Sequence, residues 1–268
     1  MNPRLNPVLP PASAPPVGRS AGLRATGPSP ESLHPSLWRA NQLGRSAENA
    51  LPSGFGLLDA QLPGGGWPRR ALTELMLPHL GIGEIRLLAA SLAATQSAGR
   101  LVMMFDPPAA VSAPALAELG LDVEQLLVIH THLQLRPGAD RLWALEQALK
   151  SGHVGAVVGW LPPHLRSERV RRLQLAAHAH DGPAFMLREM AAQSHASAAP
   201  LRLALHSAGA DQLALRVLKR RGPPLLAPLH LALPPVLSAT AWRRAQVRDG
   251  ADAHALQPLR AATFVNLA

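Results

Sequence analysis

The chain contains no cysteine and no tyrosine, and only 4 of its 268 residues are phenylalanine. The lack of cysteine excludes disulfide bonds, thiolate catalysis and zinc–thiolate sites, and it is compatible with a reducing compartment. No apolar run approaches the roughly 20 residues that a membrane-spanning helix needs. The N-terminus is interrupted by proline and arginine and has no signal-peptide core. We therefore expect a cytoplasmic protein that has no membrane partner.

Acidic residues are also scarce. Lys and Arg together number 26 and Asp and Glu 17, which gives a formal net charge of +9. A basic excess favours contact with nucleic acid, an acidic protein or an anionic membrane surface, and net charge alone does not choose among them. A high-GC genome would also enrich Arg, Ala and Pro, so the excess has either a functional or a compositional origin.

Proline and small residues divide the chain into three parts. Residues 1–33 are dense in proline and cannot bury enough apolar surface to fold, which predicts a disordered N-terminal tail. Residues 34–233 form the predicted domain, which begins with a short helix over 34–44 that docks through Trp38. Residues 234–268 are rich in proline and arginine and form a C-terminal tail that is a candidate partner-binding segment.

The stretch from Leu51 to Ala90 predicts a strand, a glycine-containing loop and a helix that starts near Glu84. Such a loop normally cradles phosphates, because the backbone N–H groups of the helix N-terminus point at the ligand. After Gly81 and Gly83, however, Glu84 and Ile85 replace the expected Lys and Ser or Thr. The loop is therefore a degenerate phosphate loop. We favour Glu84 as a solvated first-turn acid that the helix dipole stabilises, over a role in excluding nucleotide.

Apolar strands alternate with amphipathic helices along the rest of the domain. This pattern predicts an α/β fold with a mostly parallel central sheet flanked by helices, and an antiparallel C-terminal hairpin. The predicted strands are residues 71–76, 100–106, 121–130, 154–161, 183–187, 201–206, 212–216 and 229–233, and the predicted helices are residues 84–98, 113–120, 140–152 and 166–179.

Two basic clusters are candidate sites for binding DNA or a protein partner. The first lies on a predicted helix and the second lies at the end of the predicted hairpin. For both clusters, the alternative is an ordinary solvated surface. The members are Arg166, Arg169, Arg171 and Arg172 in the first, and Arg216, Lys219, Arg220 and Arg221 in the second.

Other polar residues give weaker signals. His130 and His132 share a strand face but lack a third ligand, so we expect no metal site. Asp106 ends a strand and is either a vestigial site acid or a cap. Trp67 and Trp160 are expected to pack in the core. No Ser-His-Asp arrangement with a G-x-S-x-G turn is present, which gives hydrolase chemistry no support.

Local words from Leu51 to Leu161 resemble the core of the RecA recombinase family, among them LTEL before the loop, the strand MMFD, ELGLDVEQLLVI and VGAVVGWL. The resemblance implies a RecA-like core. At the positions of the family's catalytic Glu and its magnesium-associated Asp, however, this sequence has Pro107 or Pro108 and Trp160. Together with Glu84 and Ile85, these departures imply a protein without cofactor or ATP hydrolysis, and not an enzyme.

The words LHPSLWRA and LPGGGWPRRALTEL resemble the ImuA family. That resemblance implies a non-catalytic accessory protein of damage-induced (SOS) mutagenic translesion DNA synthesis, an adaptor for an ImuB-type polymerase homologue and an error-prone polymerase. The implied partners are the ImuB-type polymerase homologue, RecA and DNA, and the implied location is cytoplasmic, with nucleoid association on DNA damage. No catalytic residue carries over.

Two alternatives stay open. A cell-division inhibitor of the SulA type, acting on the tubulin-like division protein, is also RecA-like without a phosphate loop and is induced by the same damage response. Chain length and the word GGGWPRR favour the ImuA interpretation over it. A live ATPase with a noncanonical loop is the other alternative, and it predicts measurable binding of ATP.

Overall fold

A computed structural model describes residues 50–131 and 139–235. The predicted N-terminal tail, the helix predicted over 34–44, His132 and all but the first residues of the predicted C-terminal tail lie outside this range. None of the helices that the structure describes is long and apolar enough to cross a lipid bilayer.

The centre of the described domain is an eight-stranded sheet with the strand order β10-β9-β8-β3-β7-β6-β4-β5. Strands β3 to β8 pair in parallel, and β8, β9 and β10 pair antiparallel as a meander at one side. Two further short strands, β1 and β2, form a separate antiparallel pair. The strands are β1 Ala50–Leu51, β2 Trp67–Pro68, β3 Leu72–Leu77, β4 Leu101–Phe105, β5 Leu126–Ile129, β6 Val154–Trp160, β7 Ala184–Glu189, β8 Leu201–Ser207, β9 Gln212–Lys219 and β10 Leu229–Ala232.

Strands β3 and β6 lie inside the sheet, and every residue of their sequences, LTELML and VGAVVGW, is buried. Strands that are buried along their whole length are typical of parallel sheets that are covered on both faces. By contrast, β9 alternates buried and more accessible residues over its first half, as an antiparallel strand with one solvated face does.

Helices cover both faces of the sheet. Helices α2 and α3 pack on one face through Leu87, Leu88 and Leu116, and the short helix α1 joins them there. Helices α4 and α5 pack on the opposite face. The helices are α1 Gly56–Asp59, α2 Glu84–Ser97, α3 Ala113–Glu118, α4 Ala139–Lys150 and α5 Ser167–Ala179, with 3₁₀ turns at Val123–Gln125 and Met190–Ser194.

The structure confirms the predicted α/β architecture with a mostly parallel central sheet and flanking helices. Leu142, Leu145 and Leu149 recur at helical spacing in α4, and all three are buried. The same spacing and burial hold in α5 for Val170, Leu173 and Ala177. The sequence did not indicate α1 or the β1–β2 pair, because neither is long enough to show a period.

Candidate functional site at the carboxyl edge of the sheet

The carboxyl ends of the parallel strands meet at one edge of the sheet, where α/β proteins usually place their functional loops. Connections start there after β3, β4, β5, β6, β7 and β8. The polar residues of this edge are therefore the first candidates for an exposed chemical site.

The loop after β3 ends at Gly83, whose φ of 109° is in the left-handed region that favours glycine. Glu84, the first residue of α2, folds its carboxylate back over this loop. Its Oε1 accepts the N–H of Gly81 at 2.9 Å and its Oε2 accepts the N–H of Gly83 at 3.1 Å. The backbone groups that would face a phosphate thus hold the chain's own carboxylate.

This geometry corrects one prediction. Glu84 is not a solvated acid, because its side chain is buried with 5% of its surface exposed. The helix-dipole argument correctly places an anion at the N-terminus of α2. It missed that the carboxylate would turn inward and bind the loop.

Asp106 follows β4 and has a left-handed φ of 50°. Its carboxylate accepts the backbone N–H of Thr131 at 2.7 Å and the Thr131 hydroxyl at 2.6 Å. Arg141 of α4 approaches the same carboxylate, with Nε 2.6 Å from Oδ2. Asp106 therefore joins the end of β4 to Thr131, two residues after β5, and to α4.

A buried charge triad spans three neighbouring strands on the face that α4 and α5 cover. Glu74 of β3 is fully buried between Arg188 of β7 and Arg202 of β8. Its Oε1 lies 2.7 Å from Arg188 Nη1, and its Oε2 lies 2.6 Å from Arg202 Nε. The strand register brings them together, since Glu74 pairs with Arg202 and Met76 pairs with Arg188.

The remaining guanidinium N–H groups of the triad hold the loops of the carboxyl edge. Arg188 donates to the carbonyl of Pro162 from Nε at 3.2 Å and to the carbonyl of Pro163 from Nη2. Arg202 donates from Nη2 to the carbonyl of Ala192 at 2.9 Å. The buried charges therefore fix the loops that follow β6 and β7.

Sequence reasoning missed this triad, although a signal was present. Each member is a charged residue inside a largely apolar strand, in LTELML, AFMLRE and LRLAL. Charged residues are almost never fully buried unless they are paired. An isolated acid and two isolated bases in predicted core strands thus indicate a buried ion cluster, although the pairing itself needs the strand order.

The first predicted basic cluster lies on and just before α5, and all four side chains are exposed. Arg166 occupies the N-cap position, and Arg172 Nη2 pairs with Glu146 Oε2 of α4 at 2.7 Å. Lys150 Nζ pairs with the other Glu146 oxygen at 2.6 Å. The hydrogen bond from Lys150 and the charge of Arg172 hold the pKa of the Glu146 carboxyl below its usual value.

The second predicted basic cluster lies on β9 and just after it. Arg216 and Arg221 are exposed. Lys219 Nζ donates to the Ser197 carbonyl at 2.9 Å, and Arg220 Nε donates to the Pro223 carbonyl at 2.8 Å. Two of the four cations therefore bind neighbouring loops.

The two basic clusters lie on different elements, one on and just before α5 and the other on and just after β9. Each cluster must be tested separately.

The predicted packing residues Trp67 and Trp160 lie in the core. Trp67 is fully buried and meets Phe185 edge to face, with ring centroids 5.2 Å apart. His180, which ends α5, is also fully buried. Among the described residues, no group of three or more His, Cys, Asp and Glu side chains has a geometry that could hold a metal ion.

Comparisons with known proteins give a consistent result. Residues 81–184 match the family model described as "Cell division inhibitor SulA". A protein of that name from Pectobacterium atrosepticum is 28% identical over 179 residues, which are 67% of this chain and 94% of that protein. Its counterpart from Pectobacterium carotovorum is 28% identical over 166 residues, or 62% and 86%. The Edwardsiella piscicida protein of the same name is 36% identical over 74 residues, which cover 27% of this chain and 44% of that protein.

These matches overturn the predicted ImuA membership. They also overturn the functions and partners derived from it: translesion synthesis, the adaptor role, the ImuB-type polymerase homologue and RecA. The word GGGWPRR, which decided for ImuA over the SulA alternative, ends before residue 81 and lies outside the range that the family model matches. The order of strands and helices does not distinguish the ImuA interpretation from the SulA alternative, because one fold can carry many functions.

Proposed function

We propose that the protein is a cell-division inhibitor of the SulA type, which acts by binding the tubulin-like division protein and blocking its polymerisation. The observation that carries the proposal is the similarity to proteins named as cell division inhibitors, over 166 and 179 residues in two of them. The matched range 81–184 starts in the loop before α2 and ends at the first residue of β7. It therefore contains β4, β5, β6 and all four longer helices.

We propose that this function is binding without catalysis. A general acid or base must come within hydrogen-bond reach of its substrate. At the carboxyl edge, Glu84 binds the loop amides, Asp106 binds Thr131 and Arg141, and Glu74 is enclosed between two arginines. These three carboxylates support a structural role, since each is buried and engaged within the fold.

The finer prediction, a RecA-like core with a degenerate phosphate loop, belongs to the same proposal. It is supported by the strand–loop–helix unit β3–α2 and by left-handed φ angles at Gly81 and Gly83. The Glu84 carboxylate takes the place that a phosphate would need, and its charge would repel a nucleotide. We therefore propose that no nucleotide binds there, which titration with a fluorescent ATP analogue tests.

A cytoplasmic location and production during the response to DNA damage complete the proposal. The first was expected from the sequence and the second from the SulA-type alternative, and nucleoid association stays a prediction.

The test in cells is controlled expression of the chain in a bacterium whose division protein is fluorescently tagged. The proposal expects cells that keep growing without dividing, form filaments and lose the division ring. Overproduction of an exposed-surface variant that has lost partner binding, at the same protein level, is the control for toxicity. Normal cell length with soluble, folded protein would remove the proposal.

A further inference from the structure

The outer face of α4 and α5 carries two large apolar side chains that the fold does not cover. Trp143 of α4 is 59% exposed and Leu175 of α5 is 62% exposed. The other large apolar residues of these two helices point into the core beneath the sheet. Exposed large apolar side chains on neighbouring helices form a surface that gains free energy when a partner covers it.

Both apolar residues belong to one continuous surface. Helices α4 and α5 lead into the parallel strands β6 and β7, so they run in the same direction, and the Glu146–Arg172 ion pair at 2.7 Å joins them. Trp143 lies three residues before Glu146, and Leu175 lies three residues after Arg172. Each is therefore one helical turn from the ion pair. We call this surface the α4–α5 face.

The α4–α5 face is basic. Among the described side chains of the two helices, the acidic ones are Glu146, which two cations share, and Glu168. Its exposed cations outnumber them, and Arg171 and Arg172 lie one helical turn from Leu175. These cations are Lys150, Arg166, Arg169, Arg171 and Arg172. A positive rim around an apolar centre is complementary to an acidic protein surface with an apolar groove.

We propose that the α4–α5 face docks an acidic protein surface, with Trp143 and Leu175 entering its apolar groove. Tryptophan and arginine are the residue types that dominate the binding energy of protein interfaces. A nucleic-acid ligand fits less well, because a duplex backbone offers no apolar groove for Trp143 and Leu175. The identification of the partner as the division protein rests on the proposed function. The basic and apolar character of the α4–α5 face does not depend on that function.

The first experiment measures binding of the purified chain to the purified division protein from the same organism. Trp143→Ser and Arg169→Glu should each weaken binding by at least about ten-fold, because each removes a central anchor or reverses a rim charge. The matched control is Leu57→Ser, a leucine 67% exposed on α1 across the sheet. This control should keep binding within about two-fold, since its side chain does not lie on the face.

The second experiment replaces the division protein with a random copolymer of glutamate and tyrosine, and compares it with duplex DNA. The chain should bind the copolymer more tightly than DNA at equal salt, and Trp143→Ser and Arg169→Glu should weaken copolymer binding. Circular dichroism confirms that each variant is folded. If the copolymer binds in this way and the division protein does not, the proposed function fails and the docking proposal stands. Equal binding by the face variants and wild type, absent copolymer binding, or tighter DNA binding would overturn the docking proposal.

Discussion

Replacing His180 by leucine should change how the stability of the protein depends on pH. His180 is fully buried at the end of α5, and its burial, with a further contribution from the charge of Arg100, lowers its pKa to about 4 from the model-compound value of 6.5. The Pro183 backbone and Asp181 oppose this shift. The imidazole is therefore neutral in the folded protein at neutral pH.

The sign and size of the effect follow from proton linkage. Above pH 6.5 neither state binds a proton at His180, so the residue has no pH-dependent effect. Between pH 6.5 and about 4 the unfolded chain takes up a proton that the folded chain refuses, and stability falls by about 1.4 kcal/mol per pH unit. Over the 6.5 − 4 = 2.5 units that separate the two pKa values, the loss is about 3 kcal/mol.

Urea unfolding at a series of pH values between 7.5 and 4 measures this loss. The free energy of unfolding of wild type should fall, relative to that of His180→Leu, by about 3 kcal/mol across the range. A packing change in the variant shifts its curve by a constant and leaves the difference in slope intact. His153→Leu, at an exposed histidine, should follow wild type. Parallel curves for wild type and His180→Leu would show that His180 titrates alike in both states, and the reasoning would be wrong.

Three further predictions test the carboxyl edge. Glu74→Gln should lower the free energy of unfolding by about 3–5 kcal/mol in urea titrations, because it leaves two buried guanidinium groups without their anion. The control is Glu168→Gln, an exposed position where the loss should be less than about 0.5 kcal/mol. Equal losses in the two variants would show that the triad does not stabilise the fold. Asp106→Asn should weaken the tie to Arg141 and destabilise the fold by about 1–3 kcal/mol in thermal unfolding, and an unchanged midpoint would contradict it. Glu84→Lys combined with Ile85→Thr should not create ATP hydrolysis in a phosphate-release assay, because Pro107 or Pro108 and Trp160 supply no carboxylate; turnover above background would argue against a lost active site.

The periodicity of the sequence was sufficient for the architecture. Leu142, Leu145 and Leu149 recur at helical spacing, and the structure buries all three. The run VGAVVGW predicted a buried parallel strand, and β6 is one. These predictions succeed because each depends on residues that are close in the chain.

The polar interactions were beyond the sequence because they join distant residues. Arg188 and Arg202 lie 114 and 128 positions from Glu74, and only the strand order makes them neighbours. The prediction for Glu84 was wrong for a different reason. Its position in the first turn was predicted correctly, but the direction of its carboxylate depends on how the preceding glycines turn the backbone.

Short sequence motifs were also insufficient to identify the proteins that this chain is similar to. The prediction of ImuA relied on short segments such as GGGWPRR, and similarity along two-thirds of the chain pointed instead to the cell division inhibitors. The candidate basic residues give a corresponding lesson. Sequence singled out Arg169 and Arg172, and only the packing of α4 against α5 places Trp143 on their surface.

Sedimentation of polymers tests the central proposal most directly. Purified tubulin-like division protein is polymerised with increasing amounts of this chain, and the pelleted fraction is measured. A binding inhibitor should reduce the pellet in proportion to its concentration and abolish it near an equimolar ratio. An unchanged pellet at a several-fold molar excess of folded chain would contradict the proposal, and a loss at trace amounts would contradict inhibition by stoichiometric binding.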